Sequence, residues 1–224
     1  MIIQKARFWG EYALFTRPEF KAERVTYEVM TPSAARGMME AIFWKPEFSW
    51  VIDAIAVLKP IQRVSIMRNE VKSRQSDRTA KKWATAGEGG YFVDEDRTQR
   101  HSLILKDVDY LVSAHIQLKP HADKPIKAYE DQFLRRLEKG QCFQQPYFGC
   151  REFVAFFGPA DGTEQPINRT EDLGFMLRDL DFVSDSKGPM TFYQQIDRSG
   201  REIVKGRAIA SFFPASLKKG VMRC

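Results

Sequence analysis

The sequence lacks the long apolar runs that membrane-spanning helices require. Such a helix needs about 18 or more consecutive apolar residues, and no run of that kind occurs in the 224 residues. The N-terminal stretch MIIQKARFWGEY becomes charged and aromatic by its fifth residue, so it has no apolar signal-peptide core and instead indicates an early β-strand. We therefore expect a cytoplasmic protein without a membrane partner.

Cysteine and histidine are both scarce. The three cysteines, Cys142, Cys150 and Cys224, are an odd number without a CxxC pair, which argues against a disulfide framework and a structural zinc site. The three histidines make a histidine-rich metal site improbable. Phosphate-binding glycine loops, dinucleotide-binding glycine motifs and HExxH zinc motifs are also missing. The sequence therefore predicts no metal and no cofactor.

Positive charge is in excess and is unevenly distributed. The net charge is +6, and the segment 59–82 alone carries eight basic residues against the two acids Glu70 and Asp77. Such a segment is either a solvated loop or a contact for the phosphate backbone of a nucleic acid. Its basic residues are Lys59, Arg63, Arg68, Lys72, Arg74, Arg78, Lys81 and Lys82.

Two helices are predicted from apolar periodicity. The first opens at Thr31 and Pro32, a capping residue followed by a first-turn proline, and it ends before Pro46. The second spans 126–139 and stops at Gly140. Their predicted inner faces are Ala35, Met38, Met39, Ile42 and Phe43 in the first helix, and Ile126, Tyr129, Phe133 and Leu137 in the second.

The order of the elements predicts an α+β fold. Without insertions it is strand, helix, strand, strand, helix, strand, the ferredoxin-like (RRM-type) pattern of an antiparallel sheet with two helices on one face. We assign residues 1–159 to this domain and residues 160–224 to a small antiparallel β-sheet domain with a hairpin turn at 197–200. Extended segments are predicted at 6–15, 24–30, 48–61 and 142–158, and as strand, turn and long strand within 91–118.

The end of the first helix carries residues that core packing does not explain. Core packing accounts for Phe43, but it does not require Lys45 beside Trp44. An aromatic ring next to fixed cations suits a stacked base and a phosphate. Three further cations lie nearby in the sequence, Arg17, Arg24 and Arg36.

The second helix and the histidines supply candidates for proton transfer. Lys127 either stabilises the helix through an i, i+4 ion pair or acts as a cation in a site. Tyr129 lies towards the apolar face near the helix start, where a phenol still reaches solvent. His101 and His121 are candidate general bases, whereas the position of His115 within an alternating strand favours a packed histidine.

Four stretches of the sequence together resemble a known family. The resemblance covers about residues 6–157, and the family is family five of the CRISPR-associated (Cas) proteins, subtype d (Dvulg), of type I-C systems. It implies an RRM-like N-terminal domain, a small β-sheet C-terminal domain, and metal-independent cleavage of precursor CRISPR RNA at the base of its repeat hairpin. It also implies that the protein stays on the 5′ handle with the other type I-C Cascade subunits. The stretches are RFWGEYALFTRPEFKAERVTYEVMTPSAARGMMEAIFWKPEFSW, PIQRVSIMRNEV, LKDVDYLVSAH and KGQCFQQPYFGCREF.

The resemblance also places the site residues. Relatives resemble this chain in an aromatic-Trp-Lys-Pro helix exit, often with a catalytic tyrosine where this chain has Phe43. Their adjacent Lys-His pair at the start of the second helix falls here on Ala128 and Tyr129. We therefore expect a rearranged nuclease, with Lys127 as the cation and Tyr129 or His121 transferring protons. The expected RNA-binding residues are Arg17, Arg24, Arg36, Phe43, Trp44, Lys45, Arg68 and Arg151.

Two other functions stay open at this point. The protein is alternatively a non-catalytic RNA-binding scaffold at the 5′ end of Cascade, or a subunit that binds duplex DNA through the basic segment 59–82. A sharp single cut without added metal distinguishes the nuclease from both, and salt-sensitive binding that is indifferent to hairpin sequence indicates the DNA-binding subunit.

Overall fold

In the computed structural model, one long strand organises the sheet. Strand β5 (Arg97–Leu118) has 22 residues and is roughly 70 Å long at about 3.3 Å per residue. Its first half pairs with β4 (Gln62–Val71), and its second half pairs with β1 (Gln4–Ala13) and β3 (Phe48–Val57), always antiparallel. The residues that the structure describes are 2–20, 22–73, 76–195 and 201–224.

The described strands form a single hydrogen-bonded sheet. The remaining strands are β2 (Arg24–Val25), β6 (Phe156–Pro159), β7 (Glu171–Ser184), β8 (Met190–Gln195), β9 (Arg201–Lys218) and β10 (Val221–Arg223). The main path runs β6-β1-β5-β3-β10-β9-β7, while β2 and β4 pair with β5, and β8 pairs with β9. Strand β10 pairs with both β3 and β9, so it connects the N-terminal and C-terminal parts of the sheet.

Three helices accompany this sheet among the described residues: α1 (Pro32–Ile42), α2 (Asp77–Ala86) and α3 (Ile126–Glu138). The antiparallel sheet and the helices confirm the predicted α+β class. Helices α1 and α3 lie where periodicity placed them, whereas α2 was not predicted. In the part of the chain that the structure describes, none of the helices has the length and apolar character needed to cross a bilayer.

Helix α1 begins at the predicted cap. The side-chain oxygen of Thr31 accepts a hydrogen bond from the backbone N–H of Ala34 at 3.3 Å, and this satisfies one of the donors left unpaired at a helix start. Pro32 occupies the first turn, where its missing N–H costs nothing. The predicted inner face of α1, including Ala35, Met39 and Ile42, is buried.

Aromatic side chains join α3 to the sheet. The ring of Trp50 on β3 lies 4.8 Å from the ring of Phe133, and the ring of Phe48 lies 5.4 Å from the ring of Tyr129. Leu137, one turn beyond Phe133, is also buried. Aromatic pairs at these distances add stabilisation to the burial of their area, so β3 and α3 form the centre of the core beneath the end of α1.

Several strand predictions were wrong. Most of 142–158 is not a strand, because only β6 at its end pairs with β1. The strand expected at the start of 91–118 is instead a turn, in which the hydroxyl of Tyr91 donates to the carboxylate of Asp96. Residues 62–71 form strand β4, which was not assigned. The hairpin turn predicted at 197–200 lies outside the described residues.

The loop 142–155 is held against the end of β1 by backbone contacts. The N–H of Leu14 donates to the carbonyl oxygen of Phe148 at 3.0 Å. At Gly149 the backbone has φ +81, and a Cβ added there would lie 1.9 Å from the carbonyl oxygen of Leu14. Only glycine fits at this position, because both the backbone conformation and the close approach exclude a side chain.

We expect Gly149→Ala to lower the free energy of unfolding by about 1 kcal/mol or more, because alanine is incompatible with the native backbone there. Urea unfolding measures the loss. The matched control is Gly162→Ala, since Gly162 also has a positive φ of +84 but has nothing within 4 Å of an added Cβ. An equal loss in both variants would show that the contact with Leu14 contributes nothing.

Candidate functional site

The four residues after α1, Phe43 to Pro46, form what we call the helix-exit corner. The ring of Phe43 is buried and lies 5.5 Å from the ring of Phe48. Its carbonyl oxygen accepts a hydrogen bond from the indole N–H of Trp50 at 2.9 Å. Trp44 is 40% exposed, and Lys45 is exposed as well. Phe43 therefore anchors the corner in the core, while the next two side chains are available to a ligand.

Arg136 of α3 holds the corner from the other side. Its guanidinium donates to the carbonyl oxygen of Ile42 at 3.0 Å and lies 5.4 Å from the centre of the Phe43 ring. The carbonyls at a helix end have no partner within the helix, so this arginine completes α1. No local pattern in the sequence indicates this contact, because Arg136 and Ile42 are 94 positions apart.

The loop before α3 lies against the helix-exit corner. A ring nitrogen of His121, Nε2, lies 3.1 Å from the carbonyl oxygen of Pro46, and the N–H of Lys119 donates to the carbonyl oxygen of Glu47 at 2.8 Å. The imidazole of His121 is exposed. The structure thus brings His121 to Pro46 of the helix-exit corner, 75 residues earlier in the chain.

Tyr129 reaches the same region from α3. Its side chain is only 4% exposed, and its hydroxyl donates to Asp123 Oδ1 at 3.3 Å. Burial raises the pKa of Tyr129, and the negative charges of Glu47 and Asp123 raise it further. The phenol is therefore neutral at physiological pH, so it can donate a proton but is a poor base.

Lys127 lies on a different face of α3. Its side chain is 75% exposed and its Nζ lies 3.1 Å from Asp131 Oδ1. It lines a separate cleft with Glu130, Leu134 and the N-terminal residues, whereas Tyr129 faces Phe48. The structure therefore brings His121 and Tyr129 to the corner and places Lys127 around the helix from them.

Arg36 joins α1 to β7. Its guanidinium contacts Glu40 at 2.9 Å and Asp179 at 2.6 Å. Burial by itself lowers the pKa of Arg36, but the hydrogen bond to Asp179 and the charges of Glu40 and Asp179 outweigh it, so the pKa is raised. Arg36 is therefore a permanently charged link between the two elements.

Arg17 also makes contacts within the protein. It pairs with Glu28 at 2.8 Å, and its guanidinium lies 4.7 Å from the centre of the Tyr27 ring. The second guanidinium on Glu28 is that of Arg63, also at 2.8 Å. Arg17 also lies 3.7 Å from Glu19, so two arginines and two carboxylates balance in charge at this edge of the sheet.

Arg24 and Arg68 share a second carboxylate. Both lie 3.6 Å from Glu70, and Arg68 also contacts Glu152 at 2.5 Å. Arg151, next to Glu152, is exposed. Four of the six predicted RNA-binding cations are thus ion-paired within the protein, and Lys45 and Arg151 are the two most exposed to solvent.

The remaining polar clusters of the described residues point to packing. His115 Nδ1 lies 2.9 Å from Asp53 Oδ1, so it is hydrogen-bonded on the sheet, as the strand pattern favoured. Across the described ranges, His, Cys, Asp and Glu side chains form no group of three that could hold a metal ion.

The raised pKa of Tyr129 can be measured. The difference in phenolate absorbance between the wild type and Tyr129→Phe should show Tyr129 ionising above its ordinary value of 10.0. Because the folded-state pKa lies above the unfolded one, the stability contributed by this proton is complete below pH 10 and is lost as pH rises through the folded pKa. Ionisation below pH 10 would contradict the burial of the phenol.

Comparison with solved structures shows a related fold. A structure described as a CRISPR-associated protein aligns with a TM-score of 0.65, 20% identity, and coverage of 100% of this chain and 91% of that chain. A functionally uncharacterized protein from Streptococcus mutans aligns with a TM-score of 0.64, 20% identity, and coverage of 100% and 92%. At these identities the likeness concerns the fold alone.

Sequence comparison identifies the family. The family model for Cas5d, described as a CRISPR-associated protein (Cas5), matches residues 5–224. Two relatives are each named CRISPR pre-crRNA endoribonuclease Cas5d. That of Thermus thermophilus is 48% identical over 216 residues, 96% of this chain and 88% of the relative. That of Mannheimia succiniciproducens is 45% identical over 192 residues, 80% of this chain and 84% of the relative. The resemblance noted in the sequence is confirmed, and the chain belongs to the Cas5d family of CRISPR-associated proteins.

Proposed function

We propose that this protein is an endoribonuclease that binds the repeat hairpin of precursor CRISPR RNA and cuts at its base without a metal ion. The observation that carries the proposal is the match to two proteins named pre-crRNA endoribonuclease, one of them across 96% of the chain. The helix-exit corner supports it, because an exposed indole, a lysine and an imidazole meet there. These are the groups that stack on a base, bind a phosphate and transfer a proton.

The reaction requires a base, an acid and a cation. The base takes the proton of a ribose 2′-OH as that oxygen attacks the adjacent phosphorus. The acid then protonates the departing 5′-oxygen, and the product carries a 2′,3′-cyclic phosphate. We assign the base to His121, because its exposed imidazole lies at the helix-exit corner and imidazole is the commonest proton-transfer group of enzymes, and the acid to Tyr129, whose phenol is neutral.

Lys127 is the proposed cation for the charge that develops on the phosphate. Its ion pair with Asp131 is on the surface, and such pairs are weak and screened by salt. A phosphate can therefore replace Asp131 as the partner of Lys127 when RNA binds. To act at the corner, the flexible lysine side chain has to leave the separate cleft that it lines with Glu130 and Leu134.

RNA binding combines the corner with the arginines around it. Trp44 offers a stacking face, and Lys45 and Arg151 offer charges that solvent already reaches. Four arginines are further proposed contacts, and each binds phosphate by exchanging a protein carboxylate for it: Arg17, Arg24, Arg36 and Arg68. Phe43 packs beneath the contact surface.

We assign residues 1–159 to a ferredoxin-like (RRM-type) domain. The strand order β6-β1-β5-β3 and the positions of α1 and α3 between these strands in the chain support this assignment. We assign 160–224 to the small antiparallel β-sheet domain. The short strand β10 belongs to it by sequence and pairs with β3 of the first domain.

After cleavage, we propose that the protein stays on the 5′ handle within type I-C Cascade. Large apolar side chains of β7 and β9 are exposed, which is typical of surfaces that other subunits cover. They are Phe175, Phe182, Ile203, Ile209 and Phe212.

Duplex DNA is a second candidate ligand, favoured by α2. No residue of this helix is buried, and Arg78, Lys81 and Lys82 lie on it among exposed side chains. A basic helix without core contacts suits a phosphate backbone. It lies between β4 and β5 in the chain, at the far end of the long strand from the helix-exit corner.

A labelled cognate repeat RNA, incubated in EDTA, tests the nuclease assignment. We expect a single cut, abolished by a 2′-deoxy substitution at the cut site, because the attacking nucleophile is then missing. Tight hairpin binding without a cut would make the protein a scaffold. Weak binding that falls steeply with salt and ignores hairpin sequence would indicate the DNA-binding role instead.

Lys127→Ala should slow this cleavage by about 10²-fold, the effect of losing one group that stabilises developing charge, and should leave hairpin affinity nearly unchanged. Single-turnover rates and equilibrium binding measure the two effects separately. Asp131→Ala is the matched control, because it removes the ion-pair partner and keeps the cation. Equal losses of rate and affinity in Lys127→Ala would assign Lys127 to binding only.

A further inference from the structure

A cleft of about 630 Å³ runs beside α1 and shares Trp44 with the helix-exit corner. One wall is the side of α1 that carries Ser33 and Gly37. The facing walls are formed by Leu177 and Leu180 of β7 and by the segment 143–149. The volume is within the range of sites that bind small molecules or single nucleotides.

The α1 wall of this cleft contains a glycine that packing within the protein does not require. Gly37 lies in the middle of α1 and is exposed, and a Cβ built on it has nothing within 4 Å. Glycine destabilises a helix interior relative to alanine. Packing against the described residues does not account for this glycine, and its missing side chain leaves the cleft open at this point.

The chemistry of the lining selects the kind of group. Aromatic rings border the cleft at Trp44, Tyr147 and Phe143, and the last is 82% exposed. Among the described lining residues Glu40 is the one with a charge, and its partner Arg36 at 2.9 Å is shared with Asp179 at 2.6 Å. Because the described lining contains a carboxylate and no cation, the cleft does not suit a phosphate, whereas its aromatic rings suit the flat face of a nucleobase.

The backbone that carries Phe143 is held in place before any ligand arrives. The backbone N–H groups of Phe143 and Gln144 donate to the carbonyl oxygen of Ala41, at 2.8 and 3.2 Å, so the segment is hydrogen-bonded to α1. Lys45 is exposed next to Trp44, where it can bind the phosphate of a base inserted in the cleft. Such preorganisation lowers the cost of binding.

We propose that this cleft is a binding site for one unpaired nucleobase of the RNA, stacked on the aromatic edge above Gly37. The proposal rests on the proposed function, because it adds a base-recognition site to the same RNA surface. The hydroxyl of Ser33 and the amide of Gln144, both lining residues, supply hydrogen bonds to the edge of the base. The cleft therefore contributes to the choice of RNA sequence.

The test combines a filled cleft with modified RNA. Gly37→Trp places a ring into the open space, and Gly37→Ala adds a single methyl group as its graded control. Each is titrated with labelled cognate repeat RNA and with a series of that RNA in which one unpaired position at a time is abasic. We expect Gly37→Trp to weaken binding by about 5- to 150-fold, the range of one lost base stack, and Gly37→Ala to weaken it less.

The decisive result is that the effect of an abasic position on binding depends on whether the cleft is open or filled. One abasic position should weaken binding to the wild type by a similar factor and should have no further effect on Gly37→Trp. Phe143→Ala is a second variant, which keeps the test valid if Gly37→Trp fails to fold. It removes an exposed ring, so we expect it to fold normally. It should show a smaller loss that depends on the same abasic position.

Other outcomes overturn the proposal in distinguishable ways. One contradicting result is that the wild type binds and cuts the repeat RNA while Gly37→Trp and Phe143→Ala bind that RNA as tightly as the wild type does. The base site is then wrong, and the nuclease assignment stands. The same conclusion follows if the variants bind RNA normally but fail to assemble with partner proteins, because the occupant is then a protein. If the wild type does not bind the RNA, the proposed function and the base site fail together.

Discussion

The candidate site depends on how α1 ends. The carbonyls in the last turn of a helix need partners from elsewhere, and here the indole of Trp50 binds the carbonyl of Phe43 while Arg136 binds that of Ile42. The two partners come from β3 and α3, which are the centre of the core. The positions of Trp44 and Lys45 are therefore set by core side chains, and a flexible loop is not required to place them.

The charge that the surface offers to a ligand depends on which cations already have a partner within the protein. Arg36 and the other paired arginines are fixed by carboxylates before RNA arrives, so a phosphate gains only the difference between two ion pairs. Arginines that are already paired mainly orient a bound phosphate and make its affinity depend on salt concentration. In the RNA-binding surface that we propose, the net attraction is assigned to cations that solvent already reaches, such as Lys45 and Arg151.

Sequence patterns predicted the elements whose structure is determined by residues close together in the chain. The apolar period and the Thr31 cap sufficed for α1, whereas the contact of Arg136 with Ile42 joins residues that no periodicity relates. The aromatic content of 142–158 favours a strand, but the backbone approach at Gly149 decides otherwise. Strand β4 was missed although its side chains alternate in exposure, because its charges suggested a loop. The cleft above Gly37 requires three separate elements, so only the fold shows it.

The missing hydroxyl at the helix exit has a structural counterpart. Phe43 occupies the place where the family resemblance implies a tyrosine, and it packs 5.5 Å from Phe48. Tyr129, where the resemblance implies a histidine, packs 5.4 Å from the same ring. The rings of Phe43 and Tyr129 thus both contact Phe48. His121 lies at Pro46, in the same helix-exit corner. Both departures from the family pattern therefore border one aromatic ring, which is the arrangement required by the single rearranged proton-transfer site that we propose.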